Sequence, residues 1–172
     1  LVLNHTSDQH PWFVESRSSR DNPKADWYVW ADARADFTGR DRRPNNWRSE
    51  LQVTPAWQWG PEREQWYLAS FLSFQPDLNW RHPEVRAEMF DMVRMWLGRG
   101  VDGFRLDIFG SIMHDAQLRD NGRRPGLVGG MPRLQTPSRT VNTDDNFALA
   151  ADLREVCDEF DGERALLGEV FG

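Results

Sequence analysis

The chain has 172 residues, 39% hydrophobic and 28% charged, a globular composition with length enough for one ordinary domain and its core. Its 21 Lys and Arg against 27 Asp and Glu leave a net charge of −6, which gives a polyanion no basic footprint and excludes nucleic acid as an expected partner. A mean hydropathy of −0.72 and the lack of a long apolar run exclude a transmembrane helix; one cysteine, Cys157, excludes an internal disulfide framework and suits a reducing, cytoplasmic setting.

The chain opens on Leu1-Val2-Leu3-Asn4-His5 with no Met and no signal sequence, and closes on an apolar run through Val170. Both ends read as strands cut open, so a piece of a longer protein is expected. Leu1 to Asn4 fits the end of a buried strand. Residues 5–74 show weak periodicity and loop signals such as Asp21-Asn22-Pro23 and Arg43-Pro44-Asn45-Asn46. An irregular segment of that length is usually a functional excursion. Residues 65–71 read as a strand returning from it. All nine tryptophans lie between Trp12 and Trp96; packing accounts for most of them, and flat apolar rings also suit the faces of sugars.

A helix is expected from Pro83, which suits the first helical position, with Glu84 at the positive end of its dipole. Val85, Met89, Met92, Val93, Trp96 and Leu97 keep helical spacing, and Gly98 or Gly100 stops the helix. Residues 101–107 read as a strand. Residues 111–143 read as loop, with residues 126–130 its most flexible part. A second helix runs from about Asp145, with Phe147, Ala150, Leu153, Cys157 and Phe160 on one face, and Ala165 to Val170 is another strand. Strand, excursion, helix, strand, helix, strand is the order of βαβ units with a parallel sheet.

Parallel α/β sheets place their sites at the carboxyl ends of strands, where Asp107 and Glu169 stand. Neighbouring strands lie about 4.8 Å apart, so two inward carboxylates at matching heights approach the roughly 5–5.5 Å separation of retaining glycosidases. Arg105, two residues before Asp107, shares its face and favours its ionised form. Glu169, beside the Asp107 charge and an apolar wall of Val170 and Phe171, is expected to hold its proton to higher pH, as an acid catalyst must. Spacing alone leaves a structural Arg–Asp pair and an unrelated surface Glu equally open. His10, His82 and His114 have no metal-ligand spacing and read as solvent-exposed. Cys157, on an apolar helix face, reads as core. Asn4-His5-Thr6 is formally a glycosylation sequon, but a strand end argues for burial.

Residues 100–110, GVDGFRLDIFG, resemble the nucleophile strand of the α-amylase superfamily, glycoside hydrolase family 13. Leu166-Leu167-Gly168-Glu169-Val170 resembles its acid/base strand, and Leu1 to Ser7 the end of its third barrel strand. Gln75-Pro76-Asp77-Leu78-Asn79, His10-Pro11-Trp12-Phe13 and Pro44-Asn45-Asn46-Trp47 are similar to the oligo-1,6-glucosidase and α-glucosidase branch. The resemblance is weakest over residues 119–140. It implies an α/β fold: a partial (β/α)8 TIM barrel holding the third to fifth strands, with an irregular α+β domain inserted after the third. Residues 1–4 would end the third strand, 5–74 form the inserted domain, and 75–172 form a barrel segment.

The resemblance further implies Asp107 as nucleophile, Glu169 as acid/base, Arg105 as the residue positioning the nucleophile, His5 as the contact to the innermost sugar, and Phe71 and Gln75 at the entrance. The implied protein is a retaining, exo-acting α-glucosidase working on short oligosaccharides through a covalent glucosyl–aspartate intermediate. A trehalose synthase or other transglycosylase of the same family is the alternative, and a catalytically silent scaffold or transporter-associated subunit the non-enzymatic one. Gly110 and Ser111 stand where endo-acting α-amylases carry Lys-His, which speaks against that activity. Ile108 holds a position where Val accompanies α-1,6 and Thr or Ala α-1,4 preference. The third catalytic Asp would lie on a later strand, so this chain alone is expected to be inactive. No cofactor is expected to be required; Asn4 and Asp77 are the candidate oxygen ligands should calcium bind.

Overall fold

The computed structural model describes residues 1–34, 42–51, 54–128 and 131–170. Three segments lie side by side in parallel. Leu1 N donates to Arg105 O (2.7 Å) and Asp107 N to Leu1 O (3.0 Å), so the opening segment pairs with strand β4 (Gly103–Leu106). Strand β7 (Ala165–Gly168) pairs with β4 on its other side, Gly103 opposite Ala165 and Leu106 opposite Gly168. Between the opening segment and β4 runs helix α2 (Pro83–Gly98), and between β4 and β7 runs helix α3 (Asp144–Asp158).

Helix α2 begins at Pro83 as its sequence predicts and buries Val85, Met89, Val93 and Leu97, one residue per turn. It ends at Gly98, and the chain turns away at Gly100. Gly100 takes φ +92° and its N–H donates to Leu97 O at 2.9 Å, a left-handed exit that a Cβ disfavours. Trp96, one residue before Leu97, is left 38% exposed. Together with Leu3, Leu106, Leu149, Leu153 and Cys157 the buried face of α2 forms the main core, so Cys157 packs as expected and burial raises its thiol pKa.

Helix α3 buries much of the face its apolar spacing predicts, with Leu153 and Cys157 in the core and Ala150 and Phe160 packed against it; Phe147 is the exception. Asn146, Leu149, Leu153, Val156 and Cys157 point inward, and Phe147 is 67% exposed. Asn146 is buried beside that face. Its Oδ1 accepts from Met113 N (2.9 Å) and its Nδ2 donates to Gly110 O (2.7 Å), closing two backbone groups of the turn that follows β4.

The excursion is more ordered than its composition suggests. Helix α1 (Pro11–Ser18) is capped by His10, whose Nδ1 accepts from Trp12 N at 3.2 Å. Strands β1 (Trp30–Ala31), β2 (Trp57–Gly60) and β3 (Gln65–Leu68) form an antiparallel sheet in the order β1-β3-β2. Arg63, 5% exposed, ties them to α1: its guanidinium donates to Ser16 O (2.9 Å), Ala25 O (2.5 Å) and Gln65 Oε1 (2.8 Å), and lies over the Trp30 ring. The excursion leaves and returns side by side, since Asn4 O accepts from Leu78 N (2.8 Å) and Phe74 O from Asp8 N (2.9 Å).

The stretch 111–143, expected to be loop, contains an antiparallel hairpin of β5 (Gly122–Val128) and β6 (Met131–Thr136). Residues 126–128, expected to be the most flexible, are paired in it; Gly129 and Gly130 lie outside the described residues. A register shift between Arg123 and Gly126 breaks the alternation that would have marked a strand.

Candidate active site

Alternation along β4 sets the site. Phe104 and Leu106 face the core under the helices, so Arg105 and then Asp107 project from the opposite face. On β7, Leu166 packs on the core while Leu167, opposite Arg105, is 68% exposed. Glu169 continues that outward face, and its N–H extends the parallel ladder to Leu106 O at 2.9 Å.

One guanidinium meets both acids. Arg105 Nη1 hydrogen-bonds Asp107 Oδ1, and Nη2 pairs with Glu169 Oε1 at 2.6 Å. These bonds, that to Asp107 first, raise the Arg105 pKa above its ordinary value. Ile108 then takes a left-handed conformation (φ +46°), which costs a β-branched residue about 1–3 kcal/mol. That turn aims Ile108 N–H at Glu169 Oε2, 3.1 Å away. Glu169 therefore sits between a guanidinium and a backbone donor rather than against an apolar wall. Val170 is 56% exposed, and Phe171 lies outside the described residues.

His5 completes the group. Burial lowers its pKa while the nearby Asp107 charge pulls the other way, and its ring packs on Phe71 at 5.7 Å between centroids. Phe71 is itself 4% exposed. Gln75 is turned to its own loop: its Oε1 accepts from Leu72 N (3.3 Å) and its N–H donates to Leu72 O (2.8 Å). The structure thus brings together His5, Arg105, Asp107, Glu169 and Phe71, and engages Gln75 in a neighbouring turn. At Gly110 a Cβ would meet Asn142 Oδ1 at 2.5 Å, which explains why no side chain stands there.

Behind His5 lies a buried cluster. Asp77 (1% exposed) accepts from Ser70 N (3.0 Å) and Ser70 Oγ (2.5 Å), and also from the Asn4 amide. His114, expected at the surface, is 7% exposed, with Nε2 3.0 Å from Ser70 Oγ and its ring stacked on Trp47. Burial pushes Asp77 up to about 7 and His114 down to about 4. Calcium, which takes about six to eight oxygen ligands, does not fit here. Both Asp77 oxygens are taken by donors, His114 Nε2 stands 3.6 Å from one of them, and only Asn4 Oδ1 lacks a partner. Asn4 is also 1% exposed, which closes the sequon to modification.

The family model described as "Alpha amylase, catalytic domain" matches residues 1–172. The chain belongs to the alpha-amylase family. It is 48% identical over 181 residues to a "Probable alpha-glucosidase" of Rhizobium meliloti (strain 1021), covering 99% of this chain and 31% of that protein. An "Oligo-1,6-glucosidase" of Parageobacillus thermoglucosidasius is 44% identical over 126 residues, covering 73% of this chain and 21% of that enzyme. The crystal structure of an "alpha-glucosyl transfer enzyme" superposes with a TM-score of 0.90 at 46% identity, over 99% of this chain and 32% of that one. This alpha-amylase family chain therefore spans about a third of the length of the relatives it matches. Its family, glycoside hydrolase family 13, is a family of glycoside hydrolases, and the motifs of residues 1–7, 75–79, 100–110 and 166–170 fall within the match.

Proposed function

We propose that the protein carrying this chain is a retaining, exo-acting α-glucosidase that hydrolyses short α-linked oligosaccharides. The observation that carries the reading is the single Arg105 guanidinium spanning Asp107 and Glu169. Two acids held by one guanidinium suit the roughly 5–5.5 Å separation of retaining enzymes. Asp107 attacks the anomeric carbon as the glycosidic bond breaks, and Glu169 gives its proton to the leaving oxygen. Glu169 then takes a proton from water, which attacks the same carbon and frees Asp107. His5, beside Asp107, is placed to donate to a hydroxyl of the innermost sugar, and Phe71 backs its ring.

The fold reading is that the three parallel segments are the third to fifth staves of a (β/α)8 barrel and that residues 5–74 are a domain inserted after the third. Exposed Leu167 supports it, because a closed barrel buries that face. No cofactor takes part in this scheme. Among the described residues no helix is long and apolar enough to cross a membrane. Since the third catalytic carboxylate is expected on a later strand, the 172-residue chain alone should not turn over a glucoside.

The test is Asp107→Ala and Glu169→Gln in the full-length protein, assayed on an aryl α-glucoside. Asp107→Ala should lower kcat roughly 10⁴-fold or more, and Glu169→Gln about 10²–10⁴-fold on substrates with poor leaving groups. Undiminished cleavage by Asp107→Ala refutes the assignment. One observation favours a second reading, glucosyl transfer to a sugar acceptor: the alpha-glucosyl transfer enzyme matches over nearly the whole chain. Product analysis on maltose separates them, glucose alone marking hydrolysis and a new glucoside or trehalose marking transfer.

A further inference from the structure

The buried cluster behind the site connects to it through an unbroken chain of polar atoms. Ser70 Oγ lies 2.5 Å from Asp77 Oδ2 and 3.0 Å from His114 Nε2. A hydroxyl has one proton. If it goes to the carboxylate, Ser70 Oγ must accept, so His114 carries its proton on Nε2. Asn4 gives one amide hydrogen to Asp77, and its Nδ2 also lies 3.4 Å from His5 Nδ1. With that amide nitrogen as donor, His5 Nδ1 is an acceptor, and the His5 proton is held on Nε2. His5 and Asp77 are also partners in an isolated antiparallel bridge, so the backbone fixes the spacing between them.

We infer that His114, Ser70, Asp77 and Asn4 form a positioning relay that holds His5 in its Nε2–H tautomer beside Asp107. It rests on the reading of His5 as a sugar-contacting residue. An Nε2–H imidazole offers a donor to a sugar hydroxyl; the other tautomer offers a lone pair. The relay works while Asp77 is ionised, because a carboxylate aligns the Asn4 amide nitrogen toward itself. A protonated Asp77 is a donor, and the group nearby without a partner is Asn4 Oδ1. Asn4 then turns its oxygen to Asp77, and His5 Nδ1 loses its donor.

Asp77 is faced by Ser70, Asn4 and His114, with the Glu50 charge further off; Arg81 acts on His114, and Asp107 on His5. Burial raises the Asp77 pKa, and the Ser70 hydrogen bonds lower it. Removing the hydroxyl must therefore raise it further, and the relay fails at a higher pH.

The experiment uses the full-length protein and its Ser70→Ala and Ser70→Thr variants. Two readouts are taken: the pH profile of kcat/KM on an aryl α-glucoside, and ¹⁵N NMR of labelled histidine, with His5 assigned from the His5→Ala spectrum. The parent should show His5 protonated on Nε2 at a pH above the Asp77 titration. Ser70→Ala should give a mixed tautomer, a roughly 10- to 100-fold lower kcat/KM and an acid limb moved to higher pH. Ser70→Thr, which keeps the hydroxyl, should retain the parent tautomer and limb. An unchanged His5 tautomer and an unmoved acid limb in Ser70→Ala overturn the relay. The NMR arm needs no turnover, so absence of glucosidase activity in the parent defeats the proposed function while the tautomer still decides the relay.

Discussion

The parallel segment and the excursion reach order by opposite means. Around β4 and β7 the organising force is apolar: α2 and α3 pack Val85, Val93, Leu97, Leu149 and Leu153 beneath the strands, and polar groups gather at one end. In residues 5–74 the aromatic residues are many, but charged and amide side chains set their arrangement. Arg63 satisfies carbonyls of α1 and of the following turn, and the buried Asn45 caps Trp47 N and accepts from Trp57 Nε1 at 2.7 Å. A core built on burial tolerates small changes of shape. A core built on buried donors and acceptors does not, because each loss strands a partner.

The largest effect that tests this contrast is expected at Arg63. Arg63→Ala leaves Gln65 Oε1 without its donor, takes one of two donors from Ser16 O (which keeps Asn22 Nδ2) and from Ala25 O (which keeps Ser16 Oγ), and removes the stack on Trp30. A loss of about 3 kcal/mol or more is expected in denaturant unfolding of the full-length protein. Hydrogen exchange should localise the opening to α1, β1 and β3. A loss below about 1 kcal/mol would show that the aromatic residues hold the excursion without it.

Asn146 carries the same logic into the parallel segment. Asn146→Leu suits an apolar face by size yet leaves Met113 N unpaired and takes one of two donors from Gly110 O, which keeps Asn142 N–H. We expect a loss of about 2 kcal/mol, against the stabilisation that helix propensity alone predicts for Leu over Asn. Because Gly110 follows the Asp107–Ile108 turn, kcat should fall in the same variant, and a stability loss with unchanged kcat would separate the turn from the site.

How much was legible in the sequence follows from the same contrast. Helix α2 and the Arg105–Asp107 face were readable because burial repeats at the period of the element, and alternation put both side chains on one side. Glu169 was readable as a strand-end acid, but its contacts were not. Nothing in spacing says that Arg105 forks to both acids, or that Ile108 accepts a left-handed turn to aim its N–H. Helix α1 was missed because its 8 residues bury only Phe13 and Ser16, too few for a period to register. His114 was misplaced because a histidine's burial depends on a partner, Ser70, that lies 44 residues away.

Phe147 gives the smallest expected effect and a sharp one. The apolar pattern of α3 assigned it to the core, and the structure leaves it 67% exposed while its neighbour Asn146 is buried. An exposed ring contributes little, so Phe147→Ser should change unfolding free energy by no more than about 0.5 kcal/mol. The chain spans about a third of its relatives' length, and a longer protein has other surfaces to bring against α3. The same variant in the full-length protein tells the two situations apart. A loss above about 1 kcal/mol there means that Phe147 is covered by a segment outside residues 1–172; a loss within about 0.5 kcal/mol means that the ring stays exposed there too.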